Sequence, residues 1–201
     1  YGPEVELKGN YDVTGNITYS DELEIHGTGT FTGTEIQDPT VNPLARLNFE
    51  QLKNIALSQI KGDGTDNFYS ASELSNPAFP LTFWFDEVNF IPNVVYVEGD
   101  LALNGNIGTI GGFFVVVGNV LTDPSSTGDT TINGNGEIDG CVYTTGDFDI
   151  NGGALGLNVN GGVWAGDEVD LNGTAQLSYN AAYQDAIRDL NITFLPENHF
   201  P

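Results

Sequence analysis

Two sets of residues in this chain have types and spacings that could do chemistry. The first is a set of aspartates, each following a glycine and opening nearly the same phrase. These phrases are Gly99-Asp100-Leu101-Ala102-Leu103-Asn104-Gly105, Gly146-Asp147-Phe148-Asp149-Ile150-Asn151-Gly152 and Gly166-Asp167-Glu168-Val169-Asp170-Leu171-Asn172-Gly173. If the phrases stack, Asp100, Asp147 and Asp167 form a column of like charges, with Asn119 in the gap, which must either fan into water or share a cation. Calcium prefers carboxylate and carbonyl oxygens, so these three aspartates are the candidate metal ligands and calcium the candidate ion. No other cofactor is expected. No nonapeptide calcium-roll motif or complete EF-hand loop occurs, and Asp63-Gly64-Thr65-Asp66-Asn67 is only a fragment of the latter.

The second set is aromatic. Tyr96, Tyr143 and Trp164 each stand eight residues before the Asn of their phrase, and Val95, Val142 and Val163 precede them. Adjacent strand residues point to opposite faces, so valines turned inward would leave the rings as an outward ladder at about 4.8 Å spacing. Such a ladder could stack on sugar rings, on partner subunits or on itself, or it could lie under a helix. Val115 interrupts the column. The Asn column itself (Asn104, Asn133, Asn151, Asn172) reads as structural, because stacked amides satisfy one another and the backbone.

Catalytic readings find less support. Asp147, Asp149, Asp167 and Asp170 imitate a two-carboxylate site, but lyase chemistry needs a cation near the developing charge, and the repeats carry none. His26 and His199 have no Ser or Cys elbow beside them. No catalytic residue is expected, and the chain reads as a non-enzyme.

These residues must be positioned by a repeat. Neighbouring phrases begin 19 (99 to 118), 28 (118 to 146) and 20 (146 to 166) residues apart, the middle one lengthened by a loop around Leu121–Thr130. A period near 20 made of strand-like units predicts an all-β fold, a single-stranded β-solenoid. Its regular rungs are expected over residues 93–180. Residues 1–40 carry two further copies, Gly9–Gly15 and Asp21–Gly27, the latter closely matching Asp167–Gly173, and supply short strands, partial rungs or a hairpin. Residues 41–92 read as a helix and loop insertion packing on the solenoid. Asn48 with Gln51 forms a capping box, and Phe49, Leu52, Ile55, Ala56 and Ile60 follow at helical spacing until Gly62. This amphipathic helix has to bury its stripe. A strand is expected at Leu81–Phe85. Residues 181–201 supply a short C-terminal capping helix, Ala181 to Asp189 behind Asn180, and an extended tail; the helix is expected to cover the last rung.

The charge is lopsided: 28 acids against five Lys and Arg, a net charge of −23, with no Lys, Arg or His from Gly62 to Ile187. Phosphate backbones and anionic membranes are therefore poor partners. No apolar run is long enough to insert in a bilayer. Cys141 is the single cysteine, so no internal disulfide can form, and its apolar setting predicts a buried side chain. The chain begins at Tyr1 and contains no Met, which predicts a processed or truncated form.

Asn93-Val-Val-Tyr-Val-Glu-Gly-Asp-Leu-Ala-Leu-Asn-Gly, Val142-Tyr-Thr-Thr-Gly-Asp-Phe, Gly161-Gly-Val-Trp-Ala-Gly-Asp and Gln176-Leu-Ser-Tyr-Asn together resemble a bacterial family. These are PilX-like type IV pilus-associated proteins with a repetitive β-helical ectodomain. The resemblance covers about half the chain. It implies a right-handed β-helix, an exported cell-surface or filament-associated location, and no catalytic residues. The expected function is thus a structural or adhesive surface protein whose partners are pilus or filament subunits. Self-assembly into a filament and binding of carbohydrate as a secreted module are the alternatives.

Overall fold

In the computed structural model, residues 1–39, 47–70, 74, 77–119, 123 and 125–190 are described. The expected C-terminal tail and His199 lie outside them. The elements are β1 (Gly2–Leu7), β2 (Asn10–Thr14), β3 (Ile17–Ile25), β4 (Thr28–Thr32), β5 (Glu35–Gln37), α1 (Phe49–Ser58), β6 (Phe68–Ser70), β7 (Trp84–Asp86), β8 (Ile91–Pro92), β9 (Val94–Glu98), β10 (Leu101–Val117), β11 (Thr130–Thr144), β12 (Phe148–Ala165), β13 (Glu168–Tyr179) and α2 (Ala181–Asp189).

The expected β-solenoid is corrected by the strand connectivity. The strands form one open, largely parallel, eleven-stranded sheet in the order β5-β3-β1-β13-β12-β11-β10-β9-β6, with β2 pairing β13 and β4; β7 and β8 make a small antiparallel pair. With two helices laid on it, this is nearer to an α/β-type sheet than to a clear solenoid. Two features cause the departure. β10, β11 and β12 run 17, 15 and 18 residues as strands that continue through their Asn-Gly corners, with a shift of register there, instead of ending at them. The N-terminal strands also join the sheet beside β13, out of chain order: Val5 pairs with Val169 and Leu7 with Leu171.

Within that sheet the repeat phrases do stack. Asn104, Asn133, Asn151 and Asn172 are in register. Asn133 Nδ2 donates to Asn104 Oδ1 at 3.1 Å, and Asn151 Nδ2 to Asn133 Oδ1 at 3.0 Å. The N-terminal copies are neither a hairpin nor a loose end. β1 and β3 pair in parallel, Leu7 against Ile25, so Asp21–Gly27 sits two strands beyond the Asp167–Gly173 phrase it resembles.

Burial follows side-chain alternation on both faces of β9 and of the C-terminal parts of β10 and β11. Val95, Phe114 and Val142 enter one core with Ile132, Ile150 and Leu171, whereas Val94, Tyr96, Phe113, Cys141 and Tyr143 enter a second core under the helices. A strand buried on both faces reads as continuous apolar sequence, as Phe113–Val117 does.

α1 starts at Asn48, whose Oδ1 accepts from the Gln51 N–H at 3.1 Å, and Leu52 and Ala56 are fully buried. It stops at Ser58, before Gly62, and Ile60 is exposed. Gln59 leaves the helix because its amide is used elsewhere: Nε2 donates to Pro92 O at 2.8 Å and Oε1 accepts from Val94 N–H at 2.8 Å. The expected strand at Leu81–Phe85 is displaced to Trp84–Asp86. α2 spans Ala181–Asp189 and packs on β8, β11 and β12, while the exposed edge of β13 is covered by β1 and β2. α2 therefore lies on the flank of the sheet, not over its last strand.

At the Asn-Gly corner, Gly173 has φ +80 and a Cβ there would collide with the Gly152 carbonyl oxygen; Gly105 has a similar φ, +82, with open space around it. Gly105→Ala should cost about 1–2 kcal/mol for left-handed backbone alone. Gly173→Ala should cost about 1–3 kcal/mol more, since an overpacked site must move its neighbours. Urea unfolding of the two variants checks this, and equal losses would contradict it.

Candidate functional site

Tyr96, Val115, Tyr143 and Trp164 do occupy one column, in register across β9 to β12. Tyr96 and Tyr143 are buried, and Trp164 is half-buried. Phe49 of α1 meets Tyr143 edge-on at 5.9 Å between ring centroids, and Phe68 stacks on Tyr96 at 6.1 Å. Burial raises the Tyr96 hydroxyl well above its ordinary value. The column is thus the floor on which α1 rests, and Tyr96 and Tyr143 present no free ring face. Cys141 lies beside it, buried, with its thiol pushed up to about 12 by desolvation.

The aspartates are redistributed by the register. Leu101 pairs with Thr130, Thr130 with Phe148, and Phe148 with Val169, so the column reads Asp100, Asp129, Asp147, Glu168. Asp129 takes the place expected for Asn119, and Glu168 displaces Asp167 because that phrase has one extra residue. Each carboxylate reaches to the next strand. Asp100 Oδ1 accepts from Gly128 N–H at 2.9 Å, Asp129 N–H at 3.2 Å and Ser126 Oγ at 3.2 Å. Asp129 Oδ1 accepts from Asp147 N–H, and Asp147 Oδ1 from Glu168 N–H. The column joins strands through charge-assisted bonds. Asp167 is exposed at its margin.

A larger acidic array was not visible along the sequence. Asp149, Asp170, Glu6 and Glu24 stand in one row across β12, β13, β1 and β3, and Glu168, Glu4 and Glu22 in a second row beside it. Oxygens of Glu6, Glu168 and Asp170 lie within 4.8 Å of one another, as do ligand atoms of Glu6, Glu24 and His26. Lys8 pairs with Glu6 and, at 3.4 Å, with Asp170. One ammonium cannot neutralise two rows. Asp149 and Glu168 are raised above the usual carboxylate range, first by desolvation and then by their acidic neighbours, including Asp170 and Asp147. Asp147 is raised by desolvation, then by Asp129 and Asp167. The signals in the sequence are the acidic set Asp147, Asp149, Asp167 and Asp170 and the match of Asp21–Gly27 to Asp167–Gly173.

The third feature is apolar. Between β7 and β8, Val88 is 85% exposed and Phe90 69%; Leu81 before the hairpin is 72% exposed, and Phe85 and Ile91 are also open. The turn is fixed by Asp86, whose Oδ1 accepts from Val88 and Asn89 N–H at 2.9 and 3.0 Å. Phe90 holds a φ of 55, rare for a bulky side chain. At the base, Phe83 stacks on Tyr183 of α2 at 3.8 Å, and Trp84 packs edge-on against Phe83 and Phe90. The tip is exposed while its root is buried in the second core.

Among the described residues no helix is long and apolar enough to cross a membrane. No family model, curated protein or solved structure matches the chain. The PilX-like resemblance therefore rests on the repeat motifs alone.

A carboxyl that binds its proton more tightly when folded makes stability fall as pH rises through its raised pKa. Lowering pH from 7 toward the ordinary carboxylate range should therefore raise Tm, and 1 M NaCl should raise it at pH 7 by screening the rows. Glu168→Gln should stabilise by about 0.5 kcal/mol after allowance for solvent screening. Calorimetry over pH and salt checks all three; a Tm that falls on mild acidification would refute the repulsion.

Proposed function

We propose that this chain is a non-catalytic structural or adhesive protein of the cell surface, and that it joins type IV pili or another extracellular filament through its 81–91 hairpin. One observation carries the reading. A chain of net charge −23 places Leu81, Phe85, Val88 and Phe90 outward on a hairpin whose root is locked by Phe83, Trp84 and Tyr183. Clustered exposed apolar side chains rimmed by polar ones mark interaction sites. Asp86 and Glu87 belong to the rim, so the complementary surface is an apolar groove with cationic edges.

The same chemistry disfavours the alternatives. Sugar stacking on the aromatic column would need α1 to lift from Tyr96 and Tyr143. Self-assembly by end-to-end strand pairing would bring further acids against Glu22, Glu24 and Glu35 at the β3–β5 edge. The extracellular location draws support from the acidity, and the pilus association from the motif resemblance.

Immunogold microscopy of cells producing the chain should label the cell surface and its filaments. A Leu81→Ser/Val88→Ser/Phe90→Ser variant should keep the Tm of the parent and lose filament label at least tenfold. Label confined to the cell interior, or undiminished on filaments in the variant, would sink the proposal.

A further inference from the structure

Rings fill the interior beside β6, β9 and β10, and Tyr11 and Tyr19 enter it again from β2 and β3. Along one wall the inward row reads Val95, Phe114, Val142, Val163; along the facing wall it reads Leu101, Thr130, Phe148, Val169, Val5. Phe114 is met by Phe79, and Phe79 in turn by Tyr69. Beyond Phe148 both rows continue in valine. Where Val163 faces Val169 and Val5, a cavity of about 510 Å³ remains, floored by Leu171 and Leu177. Trp164, Tyr179 and Gln184 also line it.

We infer that this cavity is a binding site for one neutral, apolar small molecule. The volume falls in the range of ligand pockets, about 300–1,000 Å³, and well above the roughly 150 Å³ of an engineered cavity that holds benzene. Its walls are methyl-rich and offer water few partners, so an apolar guest displaces solvent that is poorly held. No charged side chain lines it, although the chain as a whole carries 28 acids. The Tyr1 α-amino group lies in the wall, donates to Val163 O at 2.7 Å and has its pKa lowered to about 5 by burial. A carboxylate guest would therefore enter against the net field and meet only a neutral amine, and a cation would find no carboxylate inside. The polar groups at the rim (Gln184, Ser178, Asn16, Thr14) are neutral hydrogen-bonding groups suited to a hydroxyl, ester or amide head. The site is separate from the 81–91 hairpin and does not depend on the role proposed for it.

Titration calorimetry with 1-decanol should show saturable one-to-one binding, and decanoate, of the same chain length, should bind at least tenfold more weakly. Val163→Phe and Val169→Phe, made separately, should each fill the space, keep or raise Tm and weaken decanol binding at least tenfold. The hairpin triple-serine variant should bind decanol as the parent does, which separates the cavity from the exposed patch. Absence of saturable decanol binding to the parent overturns the inference, whether or not either Phe variant folds. Decanoate binding as well as decanol, or a folded Phe variant that retains full affinity, also overturns it.

Discussion

Parallel strands in exact phase, one phrase directly over the next, are the constraint from which the rest follows. At the corners the chain passes so close to its neighbour that a carbonyl oxygen occupies the place of a Cβ, as Gly152 O does beside Gly173. Only glycine satisfies both the left-handed turn and that approach. Once the corners are fixed, a slip of one residue is forbidden, because it would turn every buried side chain outward. The Asn amides and the Asp100–Asp129–Asp147 carboxylates then hold that phase by bonding strand to strand.

The same phase explains why the aromatic column is not a binding strip. Val94–Val97 and Phe113–Val116 are apolar at every position, so neither face of these strands can remain in water. One face closes on the valine and phenylalanine interior; the other needs α1 and α2. Helical spacing over 49–60 announced a stripe needing burial, and the eight-residue offset of Tyr96, Tyr143 and Trp164 announced the column. What joined them was the count of apolar faces: a strand with no polar side must be covered twice.

Local repeats were legible because each phrase carries its own corner; which strand lies beside which was not. Chain order suggests that β13 ends the stack under a helical cap. Instead β1 competes for that edge and wins, offering Val5 and Leu7 in phase with Val169 and Leu171 and a full ladder of backbone bonds. A helix would satisfy no strand-edge donors. The acidic rows exist only because of this pairing, since Glu6 and Asp170 are adjacent in space and distant in sequence. The aspartate column was displaced for a smaller reason. An extra residue in the third phrase moves Glu168 into the place of Asp167, and Asp129 falls inside the Leu121–Thr130 segment that reads as a loop.

The sheet is open, and open parallel edges invite further strands. At one end, β6 is short and lies under α1, with Lys53 over the Phe68 ring at 4.7 Å. At the other, β3 and β5 carry exposed Asp21, Glu22, Glu24 and Glu35, and β4 carries threonines whose hydroxyls turn back to Asn10 and Asp12. An incoming copy would have to stack its own acids on the Glu6–Glu24 row, where Lys8 and His26 are the nearby bases among the described residues. The repulsion that adds to desolvation in raising Asp149 and Glu168 within one molecule would thus be extended across two. Charge at this edge therefore opposes a further strand, while the exposed apolar side chains of the 81–91 hairpin lie on the flank of the sheet, away from that charge.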